Sequence, residues 1–282
     1  MPGLVGVFRE AEFSPGRVED DAAILERTAV ALAARGLPVR LGGTELLPAP
    51  HAAAILTMCQ SAPALAALER HSAQVTVINT PCAIRSCYRA ETVRLLTAAG
   101  VPFAPTRIVA TQAPRQAALE NAAPCWVKRG DVHAMTAEDV VFAATPSDLE
   151  DTLEAYAARG IKSAALQEHV DGSAVKFYGI VDGRFFRCYS DAAEPRAPIP
   201  RLWEVARAGA VALGLEIFGG DMVVTPAGVP VLIDVNDWPS FTRCREEAAE
   251  AIAGYVGERL AGGGRVLEDA TLMARQSGAE RR

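Results

Sequence analysis

Short apolar runs alternate with amphipathic stretches through the first third of the chain. Residues 4–8 (Leu-Val-Gly-Val-Phe) read as a strand. Apolar positions over 21–35 recur with helical period and stop before Gly36. Residues 52–58 and 74–79 read as further strands, with a short helix over 63–69 between them whose proline sits in the first turn. Alternation of this kind predicts a parallel α/β sheet. No Gly-x-Gly-x-x-Gly follows the first strand, so a dinucleotide-binding sheet is not supported.

The pattern then changes. A helix over 87–99 ends at Gly100, and the prolines at 102 and 105 make 101–106 an extended connector. A helix over 112–121 leads to a strand at 125–128. Next come a short apolar run at 140–142, a helix over 146–159 and a strand at 164–167. Residues 173–181 and 184–189 read as a hairpin turning at Asp182-Gly183. Residues 190–200 read as a loop and 202–213 as a helix. A second hairpin pairs 219–224 with 230–236, and a last helix covers 245–260.

At 282 residues, the chain is long enough for about two domains. Half of it is hydrophobic, 22% is charged and the net charge is −6, which argues against general nucleic-acid affinity. No apolar run reaches the length of a membrane span, and the first residues lack the features of a secretory signal, so the expected location is cytoplasmic. The six cysteines have no metal or redox spacing and most read as small core residues; the four histidines are scattered.

The second hairpin carries the strongest chemical signal. Asp221 stands in one strand, and Asp234 and Asn236 in the other. The latter two are two residues apart and share a face. Asp221 can reach that face across the hairpin. Two carboxylates and a carboxamide oxygen form a set that suits magnesium, which normally completes its shell with phosphate oxygens and water. Taken singly, each acid reads first as a turn cap or an arginine partner; the combined pattern is what points to a metal.

Lysine usage adds to this. Of 28 basic residues only Lys128, Lys162 and Lys176 are lysines. Lys162 reads as a surface charge at a helix-to-strand turn. Lys128 ends the run Trp126-Val127-Lys128, and Lys176 lies inside a strand, where a salt bridge to Asp171 or Asp182 is the plain alternative.

In chain order, Lys128, the hinge Gln167-Glu168-His169-Val170, Lys176, Asp221 and the element Asp234-Val235-Asn236-Asp237-Trp238-Pro239-Ser240-Phe241 resemble the ATP-grasp superfamily. The nearest patterns are the ribosomal-protein glutamate-ligase-like and inositol trisphosphate 5/6-kinase-like enzymes. The resemblance spans roughly residues 75–260. It implies an α/β and α+β chain with the ATP-grasp fold behind an N-terminal parallel α/β domain at 1–80. A connector at 81–109, a lid lobe at 110–185, a C-terminal lobe with the metal site at 186–265 and a polar tail at 266–282 would follow.

The resemblance also implies roles. Lys128 and Lys176 would meet nucleotide phosphates, and Gln167, Glu168 and Val170 would form the adenine hinge. Asp221, Asp234 and Asn236 would hold Mg2+, with Mn2+ as a substitute. Arg89 stands where relatives place a phosphate-binding cation, and an exposed helix arginine is the equal alternative. The segment after Lys128 has one glycine where many relatives have a glycine-rich loop. His133 there either replaces loop contacts or caps the next turn.

The implied activity is an ATP- and Mg-dependent carbon–nitrogen ligase acting on a small-molecule or peptide substrate. The rival is a kinase for a polyol or inositol-phosphate-like alcohol, and a non-catalytic ATP-binding module is the third reading. Arg187, Arg201, Arg243 and Arg245 are candidate forks for a carboxylate substrate; Arg245 could instead pair with Glu246 or Glu250. No nucleic-acid or membrane partner is expected, and self-association into a homo-oligomer is compatible with the sequence.

Overall fold

The computed structural model describes residues 3–70, 72, 74–112, 119, 122–132, 134–190 and 196–262. Three four-stranded sheets organise them. The first is parallel, in the order β2-β1-β3-β4, with β1 at Leu4–Val7, β2 at Val39–Gly42, β3 at Ala54–Thr57 and β4 at Thr76–Ile78. Helices α1 (Val18–Ala34) and α2 (Ala62–Glu69) make the crossovers between parallel neighbours. Helix α1 buries Ile24, Leu25, Thr28, Ala29, Ala31 and Leu32 on one stripe, and Gly36 follows it at a φ of 78°. The Ser61 hydroxyl caps α2 by accepting from the Ala64 amide at 3.4 Å.

Two short helices, α3 (Pro81–Ser86) and α4 (Arg89–Ala98), lead out of this sheet. The single helix expected over 87–99 is thus preceded by another, with the break at Cys87 and Tyr88. The second sheet has the order β5-β8-β6-β7 and is antiparallel. Its strands are Thr106–Ala110 (β5), Cys125–Arg129 (β6), Val140–Ala143 (β7) and Ser163–Glu168 (β8). Helix α5 (Pro146–Ala158) covers it, started by a capping box between Thr145 and Asp148. The expected helix over 112–121 lies largely outside the described residues.

The third sheet has the order β10-β9-β11-β12. It contains Ser173–Ile180 (β9), Phe186–Ser190 (β10), Ile217–Val224 (β11) and Pro230–Asp237 (β12), all in antiparallel pairs. Helix α6 (Ile199–Leu213) packs on one face, burying Leu202, Val205, Ala206 and Ala210 in a cluster with Val175, Phe177 and Leu232. Helix α7 (Arg245–Leu260) packs beside α1, in a cluster that also holds Tyr178, Ile217 and Trp238.

The sheets divide the chain differently from the expected lobe boundary at 185. The hairpin β9–β10 pairs through β9 with β11, so it belongs to the third sheet, and the second sheet ends at Glu168. Two strands were also not expected. Strand β2 is a four-residue edge with one arginine and one glycine, and β5 is an edge strand just after the prolines at 102 and 105. Neither has enough alternation to stand out.

The first and third sheets are joined by buried polar contacts. The Asn79 side-chain oxygen accepts from the Glu216 and Ile217 amides at 2.8 and 3.0 Å, and its nitrogen donates to the Ile217 carbonyl at 2.7 Å. The Trp238 indole donates to the Ile78 carbonyl at 3.0 Å. Arg9 donates to the carbonyls of Asp237 and Trp238. Among the described residues, no helix is long and apolar enough to cross a membrane.

Candidate functional site

The face of the third sheet opposite α6 carries the candidate metal ligands. Asp221 on β11 pairs directly with Asp234 on β12, and Asn236 pairs with Gly219. Gly219 and Gly220 let the strands approach. A Cβ on Gly220 would collide with the Asp234 carbonyl oxygen, and one on Gly219 would lie 2.7 Å from Pro239 and 2.9 Å from the Phe177 carbonyl oxygen. The register shifts just beyond Asp221, because Met222 faces Leu232 and Ile233 is extra. This β-bulge brings both Leu232 and Val235 into the core despite their spacing of three, while Asp234 and Asn236 face the cleft.

The bulge also presents the Ile233 carbonyl to the second sheet. The Lys128 ammonium donates to it at 3.2 Å and to the Gln167 side-chain oxygen at 2.6 Å. Gln167 in turn donates to the Ile233 carbonyl at 3.3 Å and to the Thr106 hydroxyl at 3.2 Å. An ammonium has three donors, so one remains for a ligand oxygen. Lys128 is 7% exposed. Burial, reinforced by the nearby Arg89 charge, brings its pKa down from 10.5 to about 8, against the pull of Asp234 and Asp221.

Arg89 opens helix α4, where the helix dipole disfavours a cation, and it is buried. Asp234 offsets this with an ion pair at 3.0 Å. The Nε of Arg89 is the buried side-chain nitrogen left without a partner among the described residues. An anionic oxygen in the cleft would satisfy such a donor. Lys176 on β9 faces Asp221 in register and pairs with it at 2.8 Å. Burial pushes the Asp221 carboxyl up, and Lys176 opposes that push.

Arg89, Lys128 and Lys176 thus meet the two carboxylates with one positive charge in excess. Among the described residues, no group of three or more His, Cys, Asp or Glu could hold a metal unaided. Two carboxylates and a carboxamide suit a hard cation that draws its remaining ligands from phosphate and water, and the donor set fits Mg2+ in that sense.

The expected hinge splits in two. The Gln167 side chain points inward and is engaged by Lys128, whereas Glu168 is exposed and Val170 is half-buried at the sheet end. Trp126 alternates with Lys128 onto the same face of β6. Its ring lies 5.1 Å from Phe142, and its indole donates to His169 Nδ1 at 3.1 Å. Sequence reading did not assign this aromatic trio to the site. Its signal was the alternation Trp-x-Lys in β6. His133 lies outside the described residues.

A cavity of about 470 Å³ opens beside the metal residues. Asp234, Asn236 and Lys176 line it, as do Arg9, Ser14 and Arg17 from the segment between β1 and α1. Of the four candidate arginines, Arg243 lines it. Arg187 is engaged with Glu247, Arg201 pairs with Glu204 at 3.1 Å, and Arg245 binds Asp20 at 3.0 Å and the Ser240 carbonyl at 3.3 Å. Arg9 and Arg17 were not expected in the site, since nothing in the first strand marks them.

No family model and no curated protein matches the chain by sequence. Solved structures do match it. The D-cycloserine synthetase DcsG superposes with a TM-score of 0.67 at 20% identity, covering 92% of this chain and all of that one. A RimK-domain ATP-grasp protein from Sphaerobacter thermophilus gives 0.68 at 20% identity, covering 90% and 98%. The D-alanine–D-alanine ligase from Bacillus anthracis gives 0.69 at 12% identity, covering 98% and 100%. The strand-borne cations, the acid-bearing hairpin and these likenesses agree on one architecture, and this chain has the ATP-grasp fold.

Proposed function

We propose that the protein is an ATP- and Mg2+-dependent carbon–nitrogen ligase, which activates a carboxylate as an acyl phosphate for attack by an amine. The observation that carries this reading is the convergence of Arg89, Lys128 and Lys176 on Asp221, Asp234 and Asn236 beside a cavity large enough for a second substrate. The solved neighbours named as a synthetase and a ligase support it, as does the D-alanine–D-alanine ligase structure with ATP.

In this reading, Arg89, Lys128 and Lys176 bind the phosphates and neutralise charge that spreads over them during transfer. Asp221, Asp234 and Asn236 would hold the metal, which would supply charge neutralisation during transfer. Trp126 and His169 flank the nucleobase beside the backbone of Glu168 and Val170. Arg243 is carried forward as the substrate-facing arginine of the four, while Arg245 positions Asp20. The γ-phosphoryl group passes to a carboxylate oxygen and ADP leaves. The amine nitrogen then bonds to the carbonyl carbon, the carbon–phosphate oxygen bond breaks, and phosphate and a proton depart. The chain's task is orientation and charge neutralisation, with no side-chain nucleophile needed.

A kinase for a highly phosphorylated alcohol calls for a strongly basic pocket. The described lining of the cavity holds four cations, Arg9, Arg17, Lys176 and Arg243, against three acids, Asp21, Asp234 and Asp237. That balance favours the ligase reading. The test is ADP formation from Mg-ATP across pools of carboxylates, amines and polyols. The ligase reading expects sustained ADP turnover, beyond one equivalent per chain, only when an acid and an amine are both present. ADP formed with a polyol alone would overturn it.

A further inference from the structure

One part of the cavity wall is built from two segments distant in sequence. Arg17 stands at the start of α1, and Ser240, Thr242 and Arg243 follow strand β12. Phe241 between the two hydroxyls has a φ of 49°, a left-handed conformation uncommon outside glycine. It brings the side-chain oxygens of Ser240 and Thr242 within 2.8 Å of each other. One nitrogen of Arg17 meets both, at 3.3 and 3.4 Å. The Phe241 ring is fully buried against Tyr178 and Phe185, which anchors the turn.

The charges on this part of the wall are not balanced. Asp20, the acid nearest Arg17 at 3.7 Å, is held more closely by Arg245 at 3.0 Å. Arg243 lies over the Tyr189 ring at 5.3 Å, and no ion pair to it occurs among the described residues. The other cations of the cavity are committed, Arg9 to Asp21 and Lys176 to Asp221. Two guanidinium groups and two hydroxyls therefore line the same cavity as Asp234 and Asn236. Guanidinium forks match carboxylate and phosphate oxygens.

We propose that Arg17 and Arg243, with Ser240 and Thr242, grip a second anionic group on the acid substrate, remote from the carboxylate that is activated. The substrate class is thus a small acid with two anionic ends, the far one a carboxylate or a phosphate. This rests on the ligase reading for the identity of the near end. Arg245 acts through Asp20, which it holds at 3.0 Å against 3.7 Å to Arg17, and is a positioning residue.

The test measures calorimetric binding of butyrate, succinate, glutarate and 3-phosphonopropionate to the full chain saturated with Mg2+ and the non-hydrolysable AMP-PNP. At least one doubly anionic probe is expected to bind about tenfold or more tighter than butyrate. Preference for glutarate or succinate assigns the far group as carboxylate, and preference for the phosphonate assigns it as phosphate. Arg17→Gln and Arg243→Gln should each remove most of that preference without changing AMP-PNP affinity or melting temperature. Binding of no probe, or a preference that survives both substitutions, overturns the proposal. If AMP-PNP fails to bind the wild type, the ATP reading falls instead. The ratio between probes measured without nucleotide then still judges the two arginines.

Discussion

Raising the pH from 7 to 9 should weaken nucleotide binding through Lys128 alone. Its ammonium is buried between β6 and the β12 bulge, holding Gln167 and the Ile233 carbonyl, with Arg89 adding repulsion. The drop from 10.5 to about 8 corresponds to about 3 kcal/mol against the charged form in the folded state. A phosphate oxygen at its third donor would restore much of that, so nucleotide binds the protonated form. With a pKa of about 8, roughly nine-tenths of the chains carry the proton at pH 7 and roughly one-tenth at pH 9. The Kd for AMP-PNP with saturating Mg2+ should therefore rise about tenfold over that span.

Stability runs the other way. The unfolded chain keeps this proton up to about 10.5 and the folded one only up to about 8. Between those values the unfolded state binds more protons, and this residue's contribution makes the fold more stable as pH rises. Below about 8 both states are protonated and the folded state carries the full penalty. Calorimetry from pH 7 to 9 on the wild type and on Lys128→Met separates these effects. The variant should bind weakly with no dependence on pH. A flat Kd for the wild type, with Lys128→Met still weaker, would refute the buried-ammonium argument.

Three more outcomes follow from the same contacts. Asp234→Asn leaves the buried Arg89 without its acid, which should cost about 2 kcal/mol, less than for a fully buried pair because Asp234 is a quarter exposed. Denaturant melts of Asp234→Asn and Arg89→Met/Asp234→Asn check this: the double variant should recover stability but not ATP turnover, and an unchanged single variant would deny the pair any role. Adding Mg-ADP should quench tryptophan emission through Trp126, because Trp238 is fully buried and Trp203 is stacked on Phe218; the change should vanish in Trp126→Phe. Gly220→Ala would drive a Cβ into the Asp234 carbonyl and to 2.7 Å from the Phe177 ring, so β11 and β12 must part. A loss of about 1–3 kcal/mol should appear in melts, together with weaker Mn2+ binding by electron paramagnetic resonance in the presence of nucleotide.

The parts of the site that the sequence disclosed are those whose chemistry conflicts with their surroundings. An acid within Val-Leu-Ile-Asp-Val and a lysine ending Trp-Val-Lys are costly in strands, and both sit in the cleft. The direct pairing of Asp221 with Asp234 also matches the hairpin read from the turn at 225–229. What stayed hidden depends on contacts distant in sequence. Gln167 looks like a hinge residue until its side chain is seen to serve Lys128 and the Ile233 carbonyl. The bulge at Ile233 leaves no trace in an apolar run. Arg17 reaches the site only because α1 packs beside the loop that ends β12, a contact across 223 residues. Arg187 and Arg245 resembled Arg243 in sequence, and acids on neighbouring elements separate them. The hairpin β9–β10 looked adjacent to the lid because it follows it in the chain, but its hydrogen bonds go to β11.

The cleft between the second and third sheets should act as a metal-dependent nucleotide clamp. The most direct measurement is a calorimetric titration of AMP-PNP into the wild type, Lys128→Met and Asp221→Asn, each with Mg2+ and with EDTA. One site per chain is expected in the wild type with Mg2+, with a large loss of affinity in EDTA and a comparable loss in either variant whose fold is intact by circular dichroism. Wild-type binding that is absent, or equally tight in EDTA and in both variants, would contradict it.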